Sequence, residues 1–497
     1  MKILSKILTV IMVFFAFGCE EKIDELGQVS PNTSPVANDS EVLTSTMGYL
    51  GYIIDVDYNF SSFLWAQYYT WGIGVSIGNQ ERFVAQPDDY DGVWQRAYAN
   101  CLTDLKYLRD GEDDAYRGVA NVLTAYIYQG LVDHFGDVPY SEANNGEIAD
   151  GSNLTPSFDN AADIYADLVV KLDEGIADME KAIANGTSTI DTDDLLYGGD
   201  LDLWIRFANS LKLRILMRTA ETSPNSTAVQ SLISNGRFIE SADQMPMIPF
   251  ENTAGQQNPM FARAEWGVGD FYFASNATID LLTALNDPRI TAFYSPATTG
   301  ANAGTIFGID QGTIDNEPFT AASTNYSGSS SYAYDADNDV MLMSSWEVWF
   351  LRAEAAARYG TADNEDAAFT TAVTENFNYI SAMTGDDSYA SAAGSYIAAR
   401  AYSSADPLDT RLNQIGTQKW ISMNGTQEDE GWIEMRRFDR PSGRIFTGAS
   451  GILQDPPLSV LPSRTFPASW LYPATERSLN PNARPQRVIT DKLFWDN

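Results

Sequence analysis

Long amphipathic patterns constrain the fold of this chain more than any other feature of its sequence. They cover residues 93–110, 115–136, 159–183 and 201–221. In the second of them, Val119, Leu123 and Ile127 recur at steps of four residues. This spacing places apolar side chains on one face of an α-helix, so each segment predicts a helix. Residues 344–360 and 412–438 repeat the pattern and predict further helices.

Small residues at regular steps within the helical patterns indicate how the helices pack. Gly118, Ala120, Ala125 and Gly130 allow a second helix to approach closely, as in helix hairpins of the tetratricopeptide kind, although the match to a 34-residue repeat is partial. The periodicity fails between about 240 and 340 and again over 451–490, which predicts long loops. The predicted fold class is therefore mostly α: a tetratricopeptide-like helix-hairpin scaffold with a loop-rich, ligand-binding half.

Three local contacts are expected within these helices. Asp200 or Asp202 is expected to cap the helix that follows, because both precede its first apolar turn. Glu354 is placed one turn before Arg358, where the two can pair. Residues 201–221 also carry four cations, which in so acidic a protein are expected to pair internally: Arg206, Lys212, Arg214 and Arg218.

The N-terminus predicts export and lipidation. Lys2 and Lys6 precede a short apolar run, and the sequence Ala-Phe-Gly-Cys ends at Cys19. This arrangement resembles the signal peptide and lipobox of bacterial lipoproteins, in which the cysteine receives acyl chains. We therefore expect a signal peptide over 1–18, a lipidated Cys19 with a flexible tether over 19–40, and a single domain over 41–497. Cys101 is then left without a disulfide partner and is expected to be a buried, inert thiol.

Composition excludes some classes of partner. Hydrophobic residues make up 44% and aromatic residues 12% of the 497 residues, which is typical of a folded globular protein. The net charge of −36 disfavours nucleic acids, anionic lipid surfaces and polyanionic glycans as ligands. A membrane contact through the lipid anchor alone is compatible with that charge.

Enzymatic motifs are weak in this sequence. Residues 74–78 read GVSIG and fit the G-x-S-x-G nucleophile elbow around Ser76, but the only histidine available as a base is His134, and no alternating strand–helix pattern surrounds the motif. A surface glycosidase would need a pair of carboxylates, and acids are too abundant here for any pair to be informative. No enzyme activity is predicted, although a glycosidase stays open as an alternative.

Metal and cofactor sites are not predicted, with one weak exception. Asp335, Asp337 and Asp339 imitate the start of a calcium loop, but valine stands where an EF-hand needs glycine and tryptophan where it needs glutamate. An irregular calcium site is kept as a weak candidate at these three aspartates.

Aromatic clusters beside the predicted loops are the best indication of a ligand. Aromatic faces stack on the C–H faces of sugar rings, and neighbouring amide and guanidinium groups bind hydroxyls. The candidate stacking residues are Trp65, Tyr69, Trp71, Trp266, Tyr272 and Tyr332, with Gln80 and Arg82 as polar partners.

Several segments together resemble one known family. These are WQRAYANCLTDLKYL (94–108), AYIYQGLVDHFGDVPYSEA (125–143), WIRFANSLKLRILMR (204–218), EVWFLRAEAAARYG (347–360) and LPSRTFPASWLYPATERSLN (461–480). In this order they resemble the SusD/RagB family of nutrient-binding outer-membrane lipoproteins, in the branch with an ANSLKLR-type helix.

The resemblance implies a function and places His134. It implies a lipid-anchored protein on the cell exterior that captures a glycan or another oligomeric nutrient and passes it to a SusC-type TonB-dependent transporter. Docking of a peptide or protein in the same complex is the alternative. In the family's pattern GDVPYSEA ends a scaffold helix, so His134 is predicted to be scaffold. Gly136 would then allow a sharp turn, Asp137 would bind local amides, and Pro139 would stop the helix.

Overall fold

The computed structural model describes residues 38–71, 79–146, 154–263, 272–313 and 325–496. The first half contains α1 (Asp39–Tyr52), α2 (Asn59–Trp65), α3 (Asp91–Gln95), α4 (Thr103–Asp110), α5 (Asp114–Phe135), α6 (Ala161–Asn185), α7 (Leu201–Arg218) and α8 (Ser226–Asn235). The second half contains α9 (Pro259–Arg263), α10 (Asn276–Ala284), α11 (Ile290–Phe293), α12 (Ser345–Tyr359), α13 (Glu365–Thr384), α14 (Ser388–Arg400), α15 (Leu408–Met423), α16 (Glu428–Phe438) and α17 (Ala474–Leu479). Two π-helical turns, Ile53–Tyr58 and Arg96–Leu102, continue α1 and α3.

Helix hairpins form the scaffold, which confirms the predicted mostly α fold class. Consecutive helices pack against each other, notably α5 with α6, α12 with α13 and α15 with α16. At the crossing of α5 and α6, a Cβ atom added to Gly118 would lie 2.9 Å from the carbonyl oxygen of Gly175. The two backbones therefore touch where the sequence placed a small residue. None of the helices in the described part of the chain combines the length and apolar composition that crossing a membrane requires.

Short antiparallel ribbons hold distant loops together. The described strands are β1 (Tyr69–Trp71), β2 (Val138–Pro139), β3 (Phe158–Asp159), β4 (Met247–Ile248), β5 (Tyr272–Ala274) and β6 (Val340–Met341). They pair as β1–β5, β2–β3 and β4–β6. The first and last of these ribbons join loop segments from the two halves of the chain.

The expected local contacts at the helix termini are present. The side chain of Asp200 accepts hydrogen bonds from the backbone N–H groups of Asp202 and Leu203 at 3.0 and 3.3 Å, so Asp200 is the cap of α7. In α12, Arg358 Nε donates to Glu354 Oε1 at 2.6 Å.

The cations of α7 pair internally, as predicted. The pairs are Arg206–Glu240, Lys212–Asp173, Arg214–Glu347 and Arg218–Glu430. Arg214 Nη2 lies 2.6 Å from Glu347 Oε2, and Arg218 Nη2 lies 2.5 Å from Glu430 Oε1. Both guanidinium groups are buried, so they belong to the core and not to a basic surface.

A buried ionic cluster joins α7, α12, α15 and α16 around Glu434. Its carboxylate lies 2.6 Å from Arg437 Nη2 and 2.9 Å from Lys419 Nζ, and it also contacts Arg218. Burial acts to raise the pKa of Glu434, but the charges of Arg437 and Lys419 outweigh burial and hold the pKa well below its usual range. The cluster therefore keeps its charges inside the scaffold.

The turn after α5 confirms one part of its prediction and corrects another. Gly136 adopts φ +78°, a left-handed conformation that favours glycine, and its N–H donates to Val132 O at 2.9 Å. Asp137 does not bind local amides. It accepts from Ala161 N at 3.0 Å, at the start of α6, and lies 3.1 Å from Arg484.

Two helix predictions need correction. Residues 412–438 do not form one helix, because Gly425 has φ +84° and separates α15 from α16. The region 240–340 is not without regular structure, because α10 forms a helix that the side chain of Ser275 caps through Ala277 N.

The segment after residue 465 returns to the N-terminal half. Trp470 N donates to His134 O at 2.8 Å, and Arg487 Nη1 donates to Phe135 O at 2.6 Å. Trp470 and Trp495 are fully buried. The C-terminal segment thus covers the end of α5.

Candidate functional site

The β1–β5 ribbon brings together three of the predicted stacking residues. Trp71 and Tyr272 are partners across the ribbon, and their rings stack with centroids 4.5 Å apart. Tyr69 contacts Tyr294, with centroids 5.5 Å apart. The exposed fractions of Tyr69, Trp71 and Tyr272 are 0%, 2% and 5%, so these rings cover one another in the core. Their role in ligand binding stays a prediction.

The other predicted residues lie at separate places. Trp65 is fully buried at the end of α2, and its Nε1–H donates to Gln80 O at 2.9 Å. Gln80 is 1% exposed, and Arg82 follows it in the same short 3-10 turn. Tyr332 is buried away from Trp65, with its ring 5.9 Å from that of Phe293, whose carbonyl oxygen accepts from Tyr69 OH at 3.5 Å. Trp266, the motif around Ser76 and the lipidation candidate Cys19 lie outside the described residues.

An open cleft beside α1 has the size of a ligand site. Its volume is about 630 Å³, within the range typical of small-molecule pockets. The wall includes Tyr52 and Phe250, and a shallower groove continues along α1 past Tyr49. Tyr49 and Tyr52 are 40% and 38% exposed, so both can offer an aromatic surface to a ligand.

Polar side chains line the same cleft and provide both donors and acceptors. They are Asp57, Asp89, Arg96, Gln257 and Arg263. Arg96 Nε donates to Asp57 Oδ2 at 2.6 Å. The guanidinium group also lies over the ring of Tyr52, 4.6 Å from its centroid, and so fixes the position of the ring.

Burial and pairing both shift the pKa values of the two members of the Asp57–Arg96 ion pair. Burial raises the pKa of Asp57, and the hydrogen bond from Arg96 only partly opposes this shift. Burial acts to lower the pKa of Arg96, but the hydrogen bond to Asp57 and the charge of Asp57, with smaller contributions from neighbouring groups, together outweigh it and raise the pKa. A neutral ligand with many hydroxyl groups can donate hydrogen bonds to Asp57 and accept them from Arg96, so the ion pair keeps both of its charges.

The sequence carries a signal for this cleft within α1, away from the predicted loops. Leu43, Met47 and Leu50 form the buried face of α1. Tyr49 and Tyr52 are three residues apart and lie off that face. Two exposed aromatic rings three residues apart on a helix are neighbours, and together they present the kind of apolar surface that a ligand can use. Arg96 and Phe250 join them only through tertiary packing.

The weak calcium candidates do not form a cage. Asp335 Oδ1 accepts from Ala336 N at 2.7 Å, and Asp339 Oδ1 accepts from Phe250 N at 3.4 Å. Across the ranges that the structure describes, no three His, Cys, Asp or Glu side chains are grouped so that they could hold a metal ion. Calcium binding at Asp335, Asp337 and Asp339 stays a prediction.

His134 and Cys101 have structural surroundings. His134 is fully buried, with Nδ1 2.7 Å from Gly130 O and Nε2 2.8 Å from Asp429 Oδ1. Its ring stacks on Tyr58 with centroids 4.4 Å apart. These contacts fit a scaffold residue. Cys101 is also buried, and burial raises the pKa of its thiol, which leaves it unreactive.

Comparison with known families gives a match over most of the chain. The model of the SusD-like family described as "Starch-binding associating with outer membrane" matches residues 31–454. This range contains the helix hairpins and the whole cleft beside α1. No match was found among curated proteins.

Solved structures share the fold. A chitin-binding protein has a TM-score of 0.74 and 24% identity, covering 93% of this chain and 100% of its own. A chitin-binding SusD homolog from Flavobacterium johnsoniae has a TM-score of 0.74 and 19% identity, covering 92% and 98%. A SusD/RagB family protein from Bacteroides thetaiotaomicron has a TM-score of 0.74 and 22% identity, covering 93% and 99%. At these identities the similarity establishes the fold.

Proposed function

Because the chain belongs to the SusD-like family, we propose that it is an outer-membrane, nutrient-binding lipoprotein that captures a glycan at the cell surface. It delivers the glycan to a SusC-type TonB-dependent transporter and does not alter it chemically. The observation that carries this proposal is the family match over residues 31–454. The lipobox at Cys19 supplies the anchor, and the acidic surface disfavours direct contact with anionic lipid.

The cleft beside α1 is the proposed place of glycan binding. Its volume, the exposed ring of Tyr52 and the Asp57–Arg96 pair match the needs of a sugar, which has an apolar face and a rim of hydroxyl groups. The net charge of −36 favours neutral glycans over uronate polymers. Oligosaccharides of starch and chitin are the first ligands to test, given the names of the family model and of the similar structures.

Calorimetric titration of the protein with neutral oligosaccharides, acidic glycans and peptides tests the proposal. Saturable binding of one neutral class is expected, and Tyr52→Ala should weaken it about tenfold, which corresponds to about 1.4 kcal/mol. Tyr107→Ala is the matched control, because Tyr107 is 44% exposed and lies outside the cleft. Loss of binding in Trp71→Ala but not in Tyr52→Ala would move the site to the β1–β5 ribbon.

Two further readouts separate the alternatives. Binding of peptides with no response to any glycan would favour the docking function. New reducing ends during incubation with an oligosaccharide would overturn the non-catalytic assignment. Co-purification with a TonB-dependent transporter from the native membrane checks the partner.

A further inference from the structure

A small, partly open pocket lies between scaffold helices and loops, apart from the cleft beside α1. Its volume is about 60 Å³, enough for a few water-sized groups and too small for a sugar ring. The π-helical turn Ile53–Tyr58, the C-terminal half of α5, the segment 332–342 and the start of α16 form its walls.

Carboxylates dominate the charged groups of this pocket. Those facing Glu428 from the surrounding elements are Asp55, Asp133, Arg214, Asp339, Asp429 and Glu430. The titratable phenols in the wall are Tyr58, Tyr126, Tyr332, Tyr334 and Tyr379. The pocket therefore contains six acids, Glu428 included, and one arginine.

Most of these charges have partners in the scaffold. The pairs are Asp133–Arg218, Asp429–His134, Glu430–Arg218 and Arg214–Glu347. Asp55 accepts from Met260 N at 2.9 Å and Glu428 accepts from Gly425 N at 3.0 Å, but neither has an ion pair within the described part of the chain. The internal segments outside the description, 72–78, 147–153, 264–271 and 314–324, contain no Lys, Arg or His. No ion pair among the described residues therefore compensates the charges of Asp55 and Glu428 at a pH where both are ionised.

Buried oxygen atoms without hydrogen-bond partners line the same pocket. Tyr58, Asn59 and Gln427 line the pocket and are 4%, 5% and 6% exposed. Tyr58 OH, Asn59 Oδ1 and Gln427 Oε1 have no hydrogen-bond partner among the described residues. Buried polar atoms without partners are costly, and amide oxygens only accept hydrogen bonds. A donor or a bare cation would satisfy all of them together with the two carboxylates.

We propose that this pocket binds one small monovalent cation, an alkali ion or an ammonium group, held between Asp55 and Glu428. The amide oxygens of Asn59 and Gln427 complete an all-oxygen ligand set. A divalent ion is disfavoured because Ca²⁺ prefers several carboxylates, and no group of three such acids is positioned for a metal in the described ranges. The tyrosine rings in the wall can make cation–π contacts with an alkali ion or with an ammonium group.

Thermal unfolding of the full chain in detergent at pH 8.5 tests the proposal. The salt is varied at constant ionic strength with choline chloride as the bulky background, and KCl, NaCl, ammonium chloride and methylammonium chloride are added in turn. We expect a saturable rise in the unfolding midpoint with at least one of them. A response to methylammonium identifies an amine-bearing ligand as the source, whereas a response confined to K⁺ or Na⁺ identifies an inorganic ion.

Variants decide whether the effect arises in the pocket. Glu428→Gln and Asp55→Asn keep the shape and the backbone hydrogen bonds, and each should weaken the apparent affinity at least tenfold. Glu180→Gln, whose side chain is 61% exposed on α6, should leave it unchanged. At pH 5 the affinity should fall at least tenfold, because protons then neutralise the two carboxylates.

Three results would each overturn the proposal. The first is no saturable shift of the unfolding midpoint with any monovalent cation, and the second is an unchanged shift in both pocket variants. The third is a response to CaCl₂ alone. Glycan titration of the same variants keeps the two proposals separate, since loss of cation binding with intact glycan binding affects only this one.

Discussion

Replacing Glu428 with glutamine should change how the stability of the protein depends on pH. The side chain of Glu428 is 4% exposed and accepts from Gly425 N at 3.0 Å. Burial raises its pKa from the ordinary 4.5 to about 8, and the charge of Asp55 adds to the shift. One pKa unit corresponds to 1.36 kcal/mol, so ionising Glu428 in the folded protein costs roughly 5 kcal/mol more than in the unfolded chain.

The sign of the effect follows from proton binding. Between pH 4.5 and 8 the folded protein holds the proton of Glu428 more tightly than the unfolded chain does. The free energy of unfolding therefore falls as pH rises through this window, and the full cost is present above it. Glutamine carries no charge, so Glu428→Gln should match the wild type at pH 4.5 and exceed its stability by about 3–5 kcal/mol at pH 9.

Urea unfolding followed by circular dichroism between pH 4.5 and 9 measures this difference. The buffer should contain choline as the only cation, because a bound ion would mask part of the cost. Glu180→Gln should run parallel to the wild type at every pH. Parallel curves for Glu428→Gln and the wild type would refute the claim that a buried, uncompensated carboxylate lies at this position.

Three other substitutions test the scaffold by urea or thermal unfolding. Glu434→Gln leaves Arg437 and its neighbours with an excess of buried positive charge and should cost about 3–5 kcal/mol; a loss below about 1 kcal/mol would contradict the assigned cluster. Asp200→Ala should lower the free energy of unfolding by about 1 kcal/mol through loss of the helix cap, while Asp202→Ala should change it by less than about 0.5 kcal/mol; equal effects would contradict the assignment of the cap. Gly136→Ala forces a Cβ into a left-handed conformation and against the guanidinium group of Arg487, so it should cost at least about 1–2 kcal/mol; an unchanged midpoint would contradict the assigned turn.

Helix positions were largely predictable because their signal is local. The pattern at 115–136 gave α5, which runs from Asp114 to Phe135, to within a residue. The break at Gly425 was missed although the sequence marks it: residues 424–431 read NGTQEDEG, which has no apolar side chain to continue the helical period and begins with an Asn-Gly turn signal. The helix α10 was missed because its nine residues are too few to show a period, although the cap at Ser275 was a usable signal.

The candidate site was less predictable because exposure is a property of the whole fold. Trp65 and Tyr52 are both aromatic residues near the end of a helical element, yet one is fully buried and the other is 38% exposed. The helical period places Tyr52 off the buried face of α1, but residue type and position near a helix end do not distinguish the two. The cleft also needs Arg96 and Phe250, which lie far from Tyr52 in the sequence and meet it only after the helices have packed.

The return of the C-terminal segment to α5 sets the order in which the chain can complete its fold. The chain is synthesised from its N-terminus, and at about 5–20 residues per second roughly 17–67 s separate the synthesis of Phe135 from that of Trp470. Throughout that interval the end of α5 lacks the hydrogen bonds that Trp470 and Arg487 make to it. The contacts that cover the end of α5 can therefore form only after nearly the whole chain has been synthesised.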